Sequence, residues 1–172
     1  LISPTQIFST ETKLVPFMQN DAAGRTTMSA RHMAQALSLT GREAPLVQVQ
    51  AAPGASFERR IGETFLSHKS PVSGTVARVG KGEIVVRDAD GHEHAVHIYD
   101  HYPLNEKKTM LNSVPLVKEG DRVQKDQVIA DHSFTKGGTL ALGTNVRVAY
   151  LANGSNHEDG IVLSESAAKK MS

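Results

Sequence analysis

Apolar and polar positions alternate with a period of two through most of the chain after Lys69, in short runs broken by turn-forming pairs. SPVSGTVARV (70–79) alternates around Ser73-Gly74, GEIVVRD (82–88) is a β-branched run, and Asp90-Gly91 is a hairpin turn leading into HEHAVHIY (92–99). VKEGDRVQKDQVIAD (117–131) repeats the design, with Gly120-Asp121 and Lys125-Asp126 bracketing short strands. VRVAYL (146–151) and GIVLSE (160–165) predict further strands on either side of the polar loop ANGSNHED. Upstream, PLVQVQA is strand-like and Pro53-Gly54 breaks it, whereas the connection through Arg59-Arg60 is poorly patterned.

One stretch has a different period. Pro16 and the Asn20-Asp21 pair stop an extended run, LVPF, and an Asn or Asp side chain can cap the helix that follows, so a helix is predicted from about Ala22. Thr40-Gly41 closes it, since glycine takes the left-handed conformation that ends helices. Met28, Ala36 and Leu39 are expected to pack inward, while Arg25, His32 and Gln35, spaced by seven and three, make a polar face. A guanidinium fork binds phosphate bidentately and an amide reads a ribose or base edge. On spacing alone, a solvated helix face is the commoner account of such a pattern. The chain thus divides into an extended lead-in with a helix (1–43), a β region (44–136) and a final strand-rich part (137–172).

Composition narrows the class. A 172-residue chain, 39% hydrophobic and only 5% aromatic, suits an ordinary soluble, β-rich domain. No apolar run approaches the length that spans a bilayer and the start is not signal-like, so a cytoplasmic protein without membrane contact is expected. The absence of cysteine excludes a disulfide scaffold and thiolate metal sites. With 19 Lys and Arg against 18 Asp and Glu, there is no global attraction to nucleic acid, and any such contact depends on local placement.

Three constellations carry candidate chemistry. Glu158 and Asp159 are adjacent in a loop; paired carboxylates stay ionised together in water or beside a cation, and Mg²⁺ takes hard oxygen ligands, usually keeping several waters. From spacing alone they are more simply a polar turn. His92 and His94 share one face of a strand in a spacing that zinc and nickel sites use, but His97 points to the other face and no third ligand is evident, which favours solvent-facing histidines. The basic set Lys107, Lys108, Lys118, Arg122, Lys125 and Lys136 is scattered over turns, as on a solvated surface.

The blocks SPTQIFSTETKLVPFMQNDAAGR, PLVKEGDRVQKDQVIAD and GTLALGTNVRVAYLANGSNHEDGIVLSE, in this order, resemble the beta subunit of multisubunit DNA-directed RNA polymerases over about two thirds of the chain. The stretch from Gln48 to Lys69 matches poorly. The middle part also resembles the barrel-sandwich hybrid of lipoyl and biotinyl carriers, but its candidate tip, DADGHEHA, lacks the lysine that a carrier would modify.

The resemblance implies a mainly β fold with one short helix, part of a double-psi β-barrel with a barrel-sandwich-hybrid-like insert. It implies a nucleotidyltransferase component that supports the RNA–DNA hybrid and active centre and is inactive alone. Its partners would be the beta-prime subunit, the remaining beta segments, the DNA template, the nascent RNA and nucleoside triphosphates. Arg25 stands where the family places an arginine near the RNA 3′ end and incoming nucleotide, and Gln35 where a glutamine contacts the transcript. Glu158 and Asp159 match an acidic pair that supports the second Mg²⁺ and the triphosphate, indirectly through water, while beta-prime holds the catalytic metal. Lys136 falls in a loop that the resemblance places close to the active centre, where most members have an acidic residue.

Departures from the family pattern are specific. Gly24 replaces the usual asparagine and Ala22 an aspartate, the acidic loop is one residue shorter, Pro-Trp is missing before Asn153, and His157 stands where an aromatic is expected. The chain also stops before the distal strands and their two lysines, which suggests an excised domain or a naturally split subunit of the kind that large phages encode. The alternative, from another class, is a non-catalytic assembly or regulatory module that keeps the fold and has lost the site.

Overall fold

A computed structural model describes residues 4–104, 109–151, 154 and 160–171. The protein is mainly β with several short helices, not one. Residues expected to lead in as an extended run instead form helical turns: Pro4–Ile7 is 3-10, Thr10–Lys13 is a single α turn (α1) capped by the Ser9 side chain, and Met18–Asn20 is again 3-10. Between the last two, Phe17 takes φ 58°, a left-handed conformation unusual for a residue with a side chain. Helix α2 follows over Ala23–Ala34 and ends well before Thr40-Gly41, with Gln35 as its C-cap.

Pro53-Gly54 turns strand β1 (Gln50–Ala52) back on β2 (Ala55–Ser56), with Gly54 at φ 77°. The poorly patterned stretch beyond it holds helix α3 (Phe57–Ile61), capped by Ser56 Oγ on the Arg59 N–H, and then a π turn over Gly62–Leu66. Gly62 is required there: a Cβ would lie 2.1 Å from the Gly138 carbonyl oxygen.

The regular alternation becomes sheet. After β3 (His68–Lys69), β4 (Gly74–Gly80), β5 (Glu83–Arg87) and β6 (Glu93–His97) form an antiparallel meander through the turns at Gly82 and Gly91, both with positive φ. A hairpin of β7 (Tyr102–Leu104) and β8 (Thr109–Leu111) precedes β9 (Val114–Pro115), β10 (Arg122–Val123) and β11 (Val128–Asp131). β10 adds to the free side of β4, giving the sheet order β10-β4-β5-β6, and β11 lies between β3 and β9 in a second sheet. Val76, Ile84, Val86, Val123 and Ile129, at 3% exposure or less, fill the core that both sheets supply. Burying each such side chain is worth about 1.5–3 kcal/mol, so this cluster dominates the stability of the middle of the chain.

A second, smaller cluster joins distant parts of the sequence. Leu14, Ile61 and Leu140 are its buried members, with Met33, Phe57, Leu66, Phe134 and Leu142 packed against them. It fixes α2 and α3 beside the small hairpin of β12 (Thr135–Lys136) and β13 (Thr139–Leu140).

The two strands expected at VRVAYL and GIVLSE are absent among the described residues. Those stretches run without sheet pairing, and Val148, Tyr150, Leu151 and Ile161 are 63–95% exposed. The chain closes with helix α4 (Glu165–Lys170), capped by Ser164 Oγ on the Ala167 N–H. No helix among the described residues is long and apolar enough to cross a membrane.

Candidate nucleic-acid interface

Helix α2 presents its polar face as the spacing predicts, though with a different buried side. Thr26 and Ala30 are buried and Met33 reaches the second cluster, whereas Met28 is 47% exposed. These three inward positions recur at intervals of four and three, so the inward stripe is set by Thr26, a polar residue that hydropathy does not flag. Arg25 and His32 lie on the exposed side, seven residues apart and therefore within one face. Gln35 is also exposed but stands outside the helix, at its C-cap, and Ala36 and Leu39 are half-buried in the connection beyond.

The start of α2 differs from the expected cap. Asp21 Oδ1 accepts the N–H of Ala22 at 2.9 Å and its Oδ2 accepts from Thr26 Oγ1 at 3.5 Å, while the N-cap itself is Ala22, which has no acceptor. The first-turn N–H groups therefore lack a side-chain cap, and Arg25 belongs to this first turn, at the positive end of the helix dipole. At Gly24 a Cβ would meet nothing within 4 Å, so the backbone does not demand glycine there.

A polar hub holds the loop that carries Lys136. The Asp131 carboxylate, 2% exposed, accepts from Thr135 Oγ1 at 2.8 Å and from the N–H groups of Gly137 and Gly138 at 2.7 and 2.8 Å. Arg42 donates from Nε to the Thr135 carbonyl at 2.7 Å and from Nη2 to the His132 carbonyl at 3.0 Å. Lys136 itself is exposed at the hairpin, as are Lys118, Arg122 and Lys125; Lys107 and Lys108 lie outside the described residues.

His132 lies against Tyr99 and Phe134, with ring centroids 5.5 and 5.6 Å away. Burial pushes its imidazole down to about 4, and the positive potential of His68 and Arg42 adds to this; burial also lowers His68.

Beside Arg42, Glu43 anchors the C-terminal helix. Lys170 Nζ lies 2.9 Å from Glu43 Oε1 and donates to the Asn145 carbonyl, while the Asn145 N–H donates to Glu43 Oε2 at 2.9 Å. The Lys170 hydrogen bond, with that N–H, holds the Glu43 carboxyl down at about 2. Asp131, Arg42, Glu43 and Lys170 were not anticipated from the sequence. Their partners lie as far as 127 positions away, and only the Gly-rich turn after Asp131 hinted at a carboxylate bound by backbone N–H groups.

Glu158 and Asp159, with Asn153 and His157, lie outside the described residues. On β6, His94 and His97 point to opposite faces, half-buried and exposed respectively, and His92 and His94 both reach Asp88.

Comparison with known proteins assigns the family. Residues 69–171 match the model of RNA polymerase Rpb2, domain 6. The DNA-directed RNA polymerase subunit beta of Prochlorococcus marinus strain MIT 9301 is 41% identical over 166 residues, covering 95% of this chain and 14% of that protein. The same subunit of Synechococcus sp. strain CC9311 is 39% identical over 166 residues (95% and 14%), and that of Prochlorococcus marinus strain SARG is 39% identical over 170 residues (98% and 15%). The chain thus spans about one seventh of the length of these relatives and includes the stretch from Gln48 to Lys69 in its likeness to them. With more than half of its residues matched by the domain model, the chain belongs to the RNA polymerase Rpb2 domain 6 family and is homologous to the beta subunit of DNA-directed RNA polymerase.

Proposed function

We propose that this chain works in the cytoplasm as part of the beta subunit of a DNA-directed RNA polymerase, with α2 facing the RNA–DNA hybrid near the active centre, and that it is inactive by itself. Arg25 carries this reading: it is exposed in the first turn of a helix held in place by Thr26, Ala30 and Met33. A guanidinium carried by an uncapped first turn favours a phosphate, by charge and by directed N–H groups together. Phosphoryl transfer is catalysed mainly by positioning and charge stabilisation, which such a group supplies without covalent chemistry. Gln35, exposed at the end of the same helix, is assigned to the transcript.

The acidic pair Glu158 and Asp159 is proposed to support the second Mg²⁺ through water. Two hard carboxylates side by side suit that cation, which when bound would neutralise charge on the triphosphate. Beta-prime and the remaining beta segments are the proposed protein partners, and template DNA, nascent RNA and nucleoside triphosphates the ligands. Two sheets around one Val- and Ile-filled core support a barrel-sandwich-hybrid-like region within 44–136, flanked by parts 1–43 and 137–172, the last contributing to a double-psi barrel.

The test is elongation by polymerase reconstituted with this chain. Arg25→Ala is expected to raise the nucleotide concentration needed, and Glu158→Ala with Asp159→Ala to slow elongation and shift its Mg²⁺ dependence by about tenfold. Parental rates across the Mg²⁺ range would instead favour an assembly module that has abandoned the site, a reading supported by the missing polar side chains at Ala22 and Gly24. The purified chain alone, given template, Mg²⁺ and four triphosphates, is expected to incorporate nothing.

A further inference from the structure

The β5–β6 hairpin gathers ligand-type side chains that neither the nucleic-acid reading nor the core uses. Asp88 directly follows β5 and divides its carboxylate between two tasks. Oδ1 accepts the backbone N–H groups of Asp90 and His92 at 3.0 and 2.9 Å, which builds the turn. Oδ2 faces the imidazoles, 2.9 Å from His94 Nε2 and 3.6 Å from His92 Nδ1. Donor atoms of Asp88, Asp90 and His92 all lie within 4.8 Å of one another. The adjacent Arg87 pairs with Glu93 at 2.6 Å.

We propose that Asp88, Asp90 and His92 form a binding site for a divalent first-row transition metal, zinc in the first instance, with His94 as the adjoining fourth group on Asp88. Donors around a tetrahedral zinc sit about 3.3 Å apart, given bonds of about 2.0–2.2 Å, so the present spacings close by small side-chain rotations. Asp90 and His92 are exposed and turn at little cost, whereas Asp88 is held by its two N–H bonds and pre-organises the site. Mixed imidazole and carboxylate donors select zinc or nickel over Mg²⁺, which prefers an all-oxygen shell and keeps its waters. The sequence pattern found two histidines and no third ligand; His92 is joined by two carboxylates, Asp88 and Asp90, across the Asp90-Gly91 turn, with Gly91 at φ 87°.

The test is a Zn²⁺ titration of the whole chain, followed by calorimetry and by the histidine ring resonances. One equivalent is expected to bind saturably, shifting His92 and His94 together and leaving His32 and the His101–Asp100 pair unmoved. His92→Ala and Asp88→Asn should each weaken binding about tenfold or more, and Asp90→Asn less. Asn at 88 keeps a side-chain oxygen for the turn; should that variant misfold, His92→Ala and Asp90→Asn decide the matter, since neither side chain supports the fold. Equal competition by Mg²⁺, shifts spread over all eight histidines, or unchanged affinity in His92→Ala would overturn the proposal.

Discussion

Strand β5 and the segments 146–151 and 161–163 carry similar strand-like apolar runs, yet they end in opposite states. In β5, Ile84, Val85 and Val86 are at most 4% exposed, because β4 and β6 pair with it on both sides and Val76, Val123 and Ile129 cover it. In the later stretch Tyr150 is 95% and Ile161 83% exposed, and no described strand pairs with either segment. Period-two patterning states which face wants burial; it does not provide the neighbour that buries it. Long exposed apolar segments commonly mark contact surfaces.

The comparison breaks most sharply under substitution. Ile129→Ala removes a side chain with 0% exposure from the first core and should cost about 2–5 kcal/mol in urea unfolding, while Val148→Ala in the same isolated chain should stay within about 0.5 kcal/mol. Equal effects would mean that the exposed stretch is packed in solution. Gly62→Ala comes next. Its methyl would press on the Gly138 carbonyl, backbone against backbone, for an expected loss of about 1–3 kcal/mol. Gly24→Ala, with open space around it, should instead gain about 0.5–1 kcal/mol by helix propensity.

Acid sharpens the contrast between the buried hub and the surface. His132 sits at about 4 when folded against an ordinary 6.5, so the unfolded chain binds more protons between those values. Its contribution is complete above about 6.5 and is lost as the pH falls towards 4, with His68 acting in the same direction. Glu43, at about 2 against 4.5, contributes fully above 4.5 and is lost as the pH falls through 2. His132→Asn should flatten the upper part of the stability–pH curve and Glu43→Gln the lower part, read by urea midpoints across the range. A parental slope in His132→Asn would remove that imidazole from the account.

Much of the middle fold was legible, because its turns depend on local chirality. Gly54, Gly91, Gly120 and Asp126 all take positive φ where the dipeptides predicted turns. Helix α3 and the π turn were not, since their stability rests on a Ser56 cap and on Ile61 meeting Leu140 far along the chain. The early helical turns escaped for a similar reason: Leu14 in the supposed extended run is 7% exposed in the second core. Of the candidate site, the helix and the exposure of Arg25 and His32 could be read from spacing. Its end could not, because Gln35 takes the C-cap where the pattern ran on to Leu39. The Arg42, Glu43 and Asp131 hub is built from contacts across the whole chain, to which local patterns are blind.

Hydrogen exchange, followed on the chain alone and after reconstitution with beta-prime and the remaining beta segments, tests the account most directly. Alone, the amides of β5 and β11 should be protected and those from Val146 to Leu151 and Ile161 to Leu163 should exchange fast, as unpaired backbone does. In the assembled enzyme both segments should become protected along with the face of α2 that bears Arg25. Fast exchange persisting there in an active polymerase would contradict the proposal that 137–172 contributes strands to a barrel in the assembled subunit.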